Sequence, residues 1–139
     1  MADLSAASAW QVFGEGFADW ASWSDGITSS VLDRPVCQGA IRTNDTPILG
    51  VVTQELTEFD REGRSLTYEM RSGLPAPIKA VKNRWTIEPV GDDRCKLSGV
   101  AEFTLACWAV PLTPVLRKKM TGALKTQAED FNRHVSIKP

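Results

Sequence analysis

Four neutral polar side chains, Gln54, Tyr68, Asn83 and Gln127, fall on faces that are otherwise apolar. Amides and a phenol in such places orient a bound molecule through hydrogen bonds rather than attack it. Catalysis would need a base or nucleophile tuned within a cavity, and the chain offers few. His134, the one histidine, lies near the chain end on the polar side of a helix and reads as a solvated residue. Alternation sends Glu55, Glu69 and Glu102 outward, with Glu58 the exception, near a cavity rim. Cys107 beside Trp108 has no cationic neighbour in the sequence to activate it. No Ser/His/Asp arrangement, phosphate loop or carboxylate pair stands out. One histidine and three widely spaced cysteines lack metal-ligand spacing, so neither metal nor cofactor is expected.

These residues must be positioned by strands and by one long helix. Leu112 to Val135 carries Leu116, Met120, Ala123, Leu124, Phe131 and Val135 on one face, with Lys118, Lys119, Lys125, Glu129, Asp130 and Arg133 largely opposite. Thr113-Pro114 reads as an N-cap followed by proline at the first helical position. Such a helix extends about 30 Å, enough to cross a small domain. Near the start, Trp10, Phe13, Phe17 and Trp20 recur at a helical period, capped by Ser5 or Ser8 and weakened by Gly14 and Gly16. A second short helix or turn spans Ala18 to Gly26. This aromatic stripe is read as core. Between the helices lie strand candidates at Ile27–Asp33, Cys37–Thr43, Leu49–Phe59, Arg64–Arg71, Ala80–Pro89 and Arg94–Ala106. Asn44–Pro47, Asp60–Gly63 and Gly91–Asp93 carry turn chemistry, and residues 72–77 form a proline-rich loop. Two short helices, about six antiparallel strands and a long helix make an α+β domain over residues 1–139, with helices on one face of the sheet.

The 139 residues suffice for one sizeable core. A formal charge of −1 leaves no nucleic-acid footprint, and no apolar run approaches a membrane span. Met1-Ala-Asp-Leu-Ser lacks the basic-then-apolar order of a secretory signal. Cys37, Cys95 and Cys107 are expected to be buried, reduced thiols, which suits a cytoplasmic protein. Arg117-Lys118-Lys119 reads as a solvated helix face, too few charges to hold a membrane alone.

Several stretches carry a resemblance. Ala9-Trp10-Gln11-Val12-Phe13, Phe17 and Trp23-Ser24-Asp25-Gly26-Ile27 resemble the opening of the START/birch-pollen-allergen superfamily, also called SRPBCC or helix-grip proteins. Gln54-Glu55-Leu56, Leu66-Thr67-Tyr68, Gly73-Leu74-Pro75 and the turn Ile87-Glu88-Pro89-Val90-Gly91-Asp92 are similar to its polyketide cyclase/dehydrase branch. The resemblance covers nearly the whole chain. It implies a bent antiparallel sheet gripping the C-terminal helix, with an apolar cavity between them that binds lipids, polyketides or other hydrophobic molecules; some members cyclise or dehydrate a bound polyketide. Two features depart from it. The family's first strand is short or missing here, so it is either vestigial or supplied across a homodimer through the exposed first sheet edge. Gln54 stands where several relatives place a pocket glutamate, which argues against an anionic, water-organising site and against acid/base work there. Ser72-Gly-Leu-Pro-Ala76 spells the gate-loop motif of plant hormone receptors, one hairpin later than theirs, and reads as ordinary turn chemistry.

Extending the alternation gives a cavity lining of Gln54, Leu56, Tyr68, Met70, Val81, Asn83, Trp85, Leu97, Gly99, Ala101 and Phe103 from the strands, joined by Val52. The long helix adds Met120, Leu124 and Gln127, joined by Phe131. Gly99 is expected to leave room. The leading function is binding of a hydrophobic small molecule in this cavity. The alternative is a cyclase/dehydratase using Tyr68 and Asn83 as proton-relay or enolate-orienting groups.

Overall fold

A computed structural model describes residues 4–47, 49–74 and 78–137. Six strands form one antiparallel sheet in sequence order: β1 (Ser29–Leu32), β2 (Ile41–Thr46), β3 (Gly50–Asp60), β4 (Ser65–Ser72), β5 (Ile78–Pro89) and β6 (Cys95–Leu105). Helix α1 (Ala6–Phe13) and a 3-10 helix (Phe17–Ser22) precede the sheet, and a second 3-10 helix (Cys107–Leu112) leads into α2 (Thr113–Ile137). This is the helix-grip arrangement. Among the described residues no strand precedes α1.

Local chemistry accounts for most boundaries. Ser5 Oγ accepts from the Ser8 N–H at 3.2 Å and caps α1. The helix stops at Gly14, where any Cβ would strike the Trp10 indole. Single-residue bulges at Thr57 in β3, Arg71 in β4 and Lys79 in β5 shift the strand registers, and such bulges strengthen the local twist of a sheet.

Several sequence expectations are corrected. Asn44, Asp45 and Thr46 belong to β2, so the turn falls later. Cys37–Ala40 is not strand. The segment after α1 ends as a 3-10 helix at Ser22, four residues before Gly26. Thr113 is already helical, and its hydroxyl donates back to the Val110 carbonyl at 2.6 Å instead of capping α2. Only Cys95 is buried, where burial holds its thiol above the usual range; Cys37 and Cys107 are exposed, and all three are free.

The core is an aromatic plug. Phe13 packs against Trp20, Trp23, Trp85 and Phe131, with ring centroids 4.5–5.8 Å apart. Trp20 Nε1 donates to the Phe13 carbonyl at 2.9 Å, which satisfies the indole inside the plug. Leu56, Leu66, Ile87, Cys95 and Val135 complete it. All of this lies toward one end of the sheet and the C-terminal half of α2.

Candidate functional site: a cavity with a cationic floor

At the other end the space is open. A cavity of about 800 Å³ lies between α2 and the inward faces of β2–β5. Helix α2 packs along β6 and stands off from the other strands, which creates the gap. Val52, Met70, Leu74, Ile78 and Val81 line the sheet side, and Leu116, Met120, Ala123 and Leu124 the helix side. Asp25, Gly26 and Ile27 form one wall. That wall is tied to α2: the Asp25 N–H donates to Asp130 Oδ2 at 3.1 Å, and the Arg133 guanidinium bridges the Asp25 and Asp130 carboxylates at 3.0 Å each.

The polar groups gather on the floor. Arg42 lines the cavity yet is only 1% exposed. Its Nε and Nη2 both donate to Gln54 Oε1, and its Nη1 donates to the Phe17 carbonyl at 2.8 Å. The guanidinium lies over the Phe17, Trp20 and Tyr68 rings at 3.8, 4.3 and 5.3 Å, cation–π contacts that partly replace lost hydration. Its partners are thus dipoles and ring faces; among the described residues no carboxylate pairs with it. Burial lowers its pKa to about 10, opposed by the neighbouring Tyr68 hydroxyl. It is still a cation at neutral pH.

This cation orients its neighbours. A guanidinium donates only, so the side of Gln54 facing it must be the oxygen. Asn44 Nδ2 then donates to the same Gln54 Oε1 at 3.0 Å. The Asn44 oxygen is therefore turned away from Gln54; it is buried and has no partner among the described residues. Asn44 also lines the cavity. Tyr68 Oη accepts from Trp85 Nε1 at 3.3 Å, and Tyr68 stands opposite Asn83 in the β4–β5 register.

Of the residues expected to line the site, Gln54, Tyr68, Met70, Val81, Asn83, Met120, Leu124 and Gln127 do so, as does Val52. Seven are placed elsewhere. Leu56 and Trp85 belong to the aromatic plug, and Leu97 packs against it. Gly99 leaves no room, because the Trp85 ring already fills the space a Cβ would enter, at 2.7 Å. Ala101 and Phe103 sit on β6, the strand α2 rests on. Phe131 is core. Glu58 is exposed on the outer sheet face beside Lys82, Arg84 and Glu102, away from the rim. Sequence reasoning missed Arg42 and Asn44. Their signal was available: Arg42, Asn44 and the facing Gln54 are three polar residues in phase on one inward face. Leu74 of the Ser72–Ala76 loop lines the mouth, while residues 75–77 lie outside the described residues.

The arrangement is similar to several solved structures. A Bacillus thuringiensis protein aligns over 96% of this chain and 93% of its own at a TM-score of 0.79 and 17% identity. Norcoclaurine synthase from Thalictrum flavum aligns over 98% and 82% at a TM-score of 0.76 and 18% identity. The di-domain ARO/CYC BexL of the BE-7585A biosynthetic pathway aligns over 99% of this chain and 45% of its own, at 0.77 and 13%. At such identities these likenesses speak to the fold alone. No curated protein matches the sequence. Residues 1–136 match the family described as polyketide cyclase / dehydrase and lipid transport, and the chain belongs to that family.

Proposed function

We propose that the chain binds an apolar small molecule, of lipid, polyketide or aromatic type, in the cavity between α2 and the sheet, as a cytoplasmic protein without chemistry of its own. The observation that carries this reading is the cavity itself. At about 800 Å³ it falls within the usual range for small-molecule sites. Its walls are mainly aliphatic and thioether side chains, with Arg42, Asn44, Gln54, Tyr68 and Asn83 on the sheet side and Lys119 and Gln127 on the helix side. Met70 and Met120 give an adaptable surface, suited to a flexible apolar body.

The cyclase/dehydratase reading has one observation in its favour. Tyr68 and Asn83 are register partners on adjacent strands and both line the cavity. Against it stands the shortage of a base. Asp25 is the lining carboxylate among the described residues, and it is exposed and paired with Arg133. A homodimer through the β1 edge is a weaker part of the reading, since a four-residue edge strand offers few pairing groups.

Titration with an environment-sensitive hydrophobic fluorophore, followed by native mass spectrometry with fatty acids and aromatic polyketides, tests the binding reading. Saturable one-to-one binding that competing lipids displace is the expected result. Linear, non-saturating fluorescence with no retained adduct would overturn it. Turnover of a polyketide lost on Tyr68→Phe and Asn83→Ala would move the reading to the enzyme.

A further inference from the structure

The floor of the cavity holds a charge and an acceptor that the protein itself leaves unanswered. Arg42 is buried, and its partners among the described residues are an amide oxygen, a peptide oxygen, the neighbouring Tyr68 hydroxyl and three ring faces, none of them a carboxylate. Arg34, Arg61, Arg71 and Arg133, by contrast, have carboxylate partners and sit at the surface. An isolated buried cation is expensive unless something compensates it. Beside it, Asn44 Oδ1 is a buried acceptor without a donor among the described residues. Gln54 Oε1 receives both side chains, so the two groups stand side by side. Gln54 is also what keeps the charge uncompensated: a carboxylate at that position would neutralise Arg42 internally, and an amide does not.

We infer that the apolar ligand ends in a hydroxy acid, its carboxylate answering Arg42 and an adjacent hydroxyl donating to Asn44 Oδ1. The inference rests on the binding reading above and names the chemistry of that site's occupant. Three of the five guanidinium N–H groups are directed at Gln54 and Phe17; a ligand carboxylate would take from the remaining two beside the Tyr68 hydroxyl. A charge-assisted hydrogen bond in a water-poor site is among the stronger polar contacts. An aliphatic body then lies along Val52, Met70, Val81, Met120 and Leu124.

The test compares four probes of one chain length by calorimetry: a β-hydroxy fatty acid, the unsubstituted acid and the methyl ester of each. In the natural protein the acids should bind about tenfold or more tighter than their esters, and each hydroxylated probe several-fold tighter than its plain counterpart. Gln54→Glu is the decisive variant. It preserves size, supplies Arg42 with an internal carboxylate, and should erase the acid-over-ester preference, read as the ratio of the two affinities within the variant. Asn44→Leu should erase the hydroxyl advantage alone. Acids and esters binding alike, or an acid preference that survives Gln54→Glu, would overturn the carboxylate assignment. A missing hydroxyl advantage would overturn the Asn44 half. If no probe binds, esters included, the binding reading itself falls and this inference falls with it. A melting temperature for Gln54→Glu at or above that of the natural protein confirms that loss of preference is not loss of fold.

Discussion

The two ends of the sheet are built on the same strands and filled in opposite ways. Along β3 the inward residues run Val52, Gln54, Leu56; along β5 they run Val81, Asn83, Trp85, Ile87. In each strand the first members face the cavity and the later ones enter the plug. α2 divides likewise, with Leu116 to Gln127 on the cavity and Phe131 and Val135 in the core. The dividing line follows the register Leu56–Tyr68–Asn83. What differs is the covering layer. Trp10, Phe13, Phe17, Trp20 and Trp23 plug one end, whereas α2 alone spans the other. Emptiness here results from where five aromatic residues stop, not from small residues in the sheet.

That contrast is broken most directly from the plug side. Trp20 is fully buried, touches Phe13, Phe17, Trp23, Tyr68 and Trp85, and lies beneath the Arg42 guanidinium. Trp20→Ala should cost about 3–5 kcal/mol, since the packed surroundings cannot collapse into the space. Urea denaturation measures it. A loss under about 1 kcal/mol would mean the plug is as loosely filled as the cavity.

A smaller cost is expected where the plug meets β6. Gly99→Ala places a Cβ 2.7 Å from the Trp85 ring, which is itself held by Phe13 and Trp20. Overpacking of this kind costs about 1–3 kcal/mol. Ligand binding should be unchanged, because Gly99 does not line the cavity. If the alanine variant were neutral in stability and reduced the binding of a hydrophobic probe, Gly99 would belong to the cavity half after all.

The cavity side should respond weakly. Met120 is half-buried and already borders open space, so Met120→Ala enlarges an existing void rather than creating one. Its cost should be about 1 kcal/mol, well below that of a packed methionine. Val81→Trp extends into the same space and should abolish probe binding at a stability change of similar size. A large loss for Met120→Ala in thermal melts would show that α2 is packed tightly over its whole length.

How much of this was legible follows from which physical signals are local. Alternation is local, so Val52, Gln54, Tyr68, Met70, Val81 and Asn83 could be placed on the inward face. The point along each strand where core gives way to cavity is not local. Trp85 and Val81 share a face and a period, and only the position of Trp20 and Phe13 distinguishes them. The same limit explains Leu56, Leu97 and Gly99. Asn44 was obscured by composition: Asn-Asp-Thr-Pro is turn chemistry, yet its first three residues pair with Gly50–Val52 in β2–β3. Arg42 was obscured by a sound rule, that a strand arginine usually points to water. The rings of Phe17, Trp20 and Tyr68 and the amide of Gln54 override it, and all four are remote in sequence.

Arg42 stands on the boundary between the halves, packed on the plug's rings and open to the cavity, and its removal should have the smallest net effect on stability. Arg42→Met relieves the desolvation of a buried charge but takes a donor from the Phe17 carbonyl, worth about 1–3 kcal/mol if left unpaired, and leaves Gln54 Oε1 with its Asn44 donor. The opposing terms leave a net change within about 1 kcal/mol at neutral pH. The pH dependence separates them. The folded-state pKa is about 10, well below that of the free guanidinium. Below the lower value both states hold the proton, so the charge burdens the fold by a constant amount across the neutral range. As pH rises through about 10 the folded state releases its proton while the unfolded chain keeps it. The natural protein should then gain on Arg42→Met by about 1.4 kcal/mol per pH unit until the unfolded chain also titrates. Paired urea denaturations at neutral pH and at about pH 11 read this directly. A difference that stays flat through that interval, with Arg42→Met several kcal/mol less stable throughout, would mean that Arg42 is fully compensated by the plug and offers no unanswered charge to the cavity.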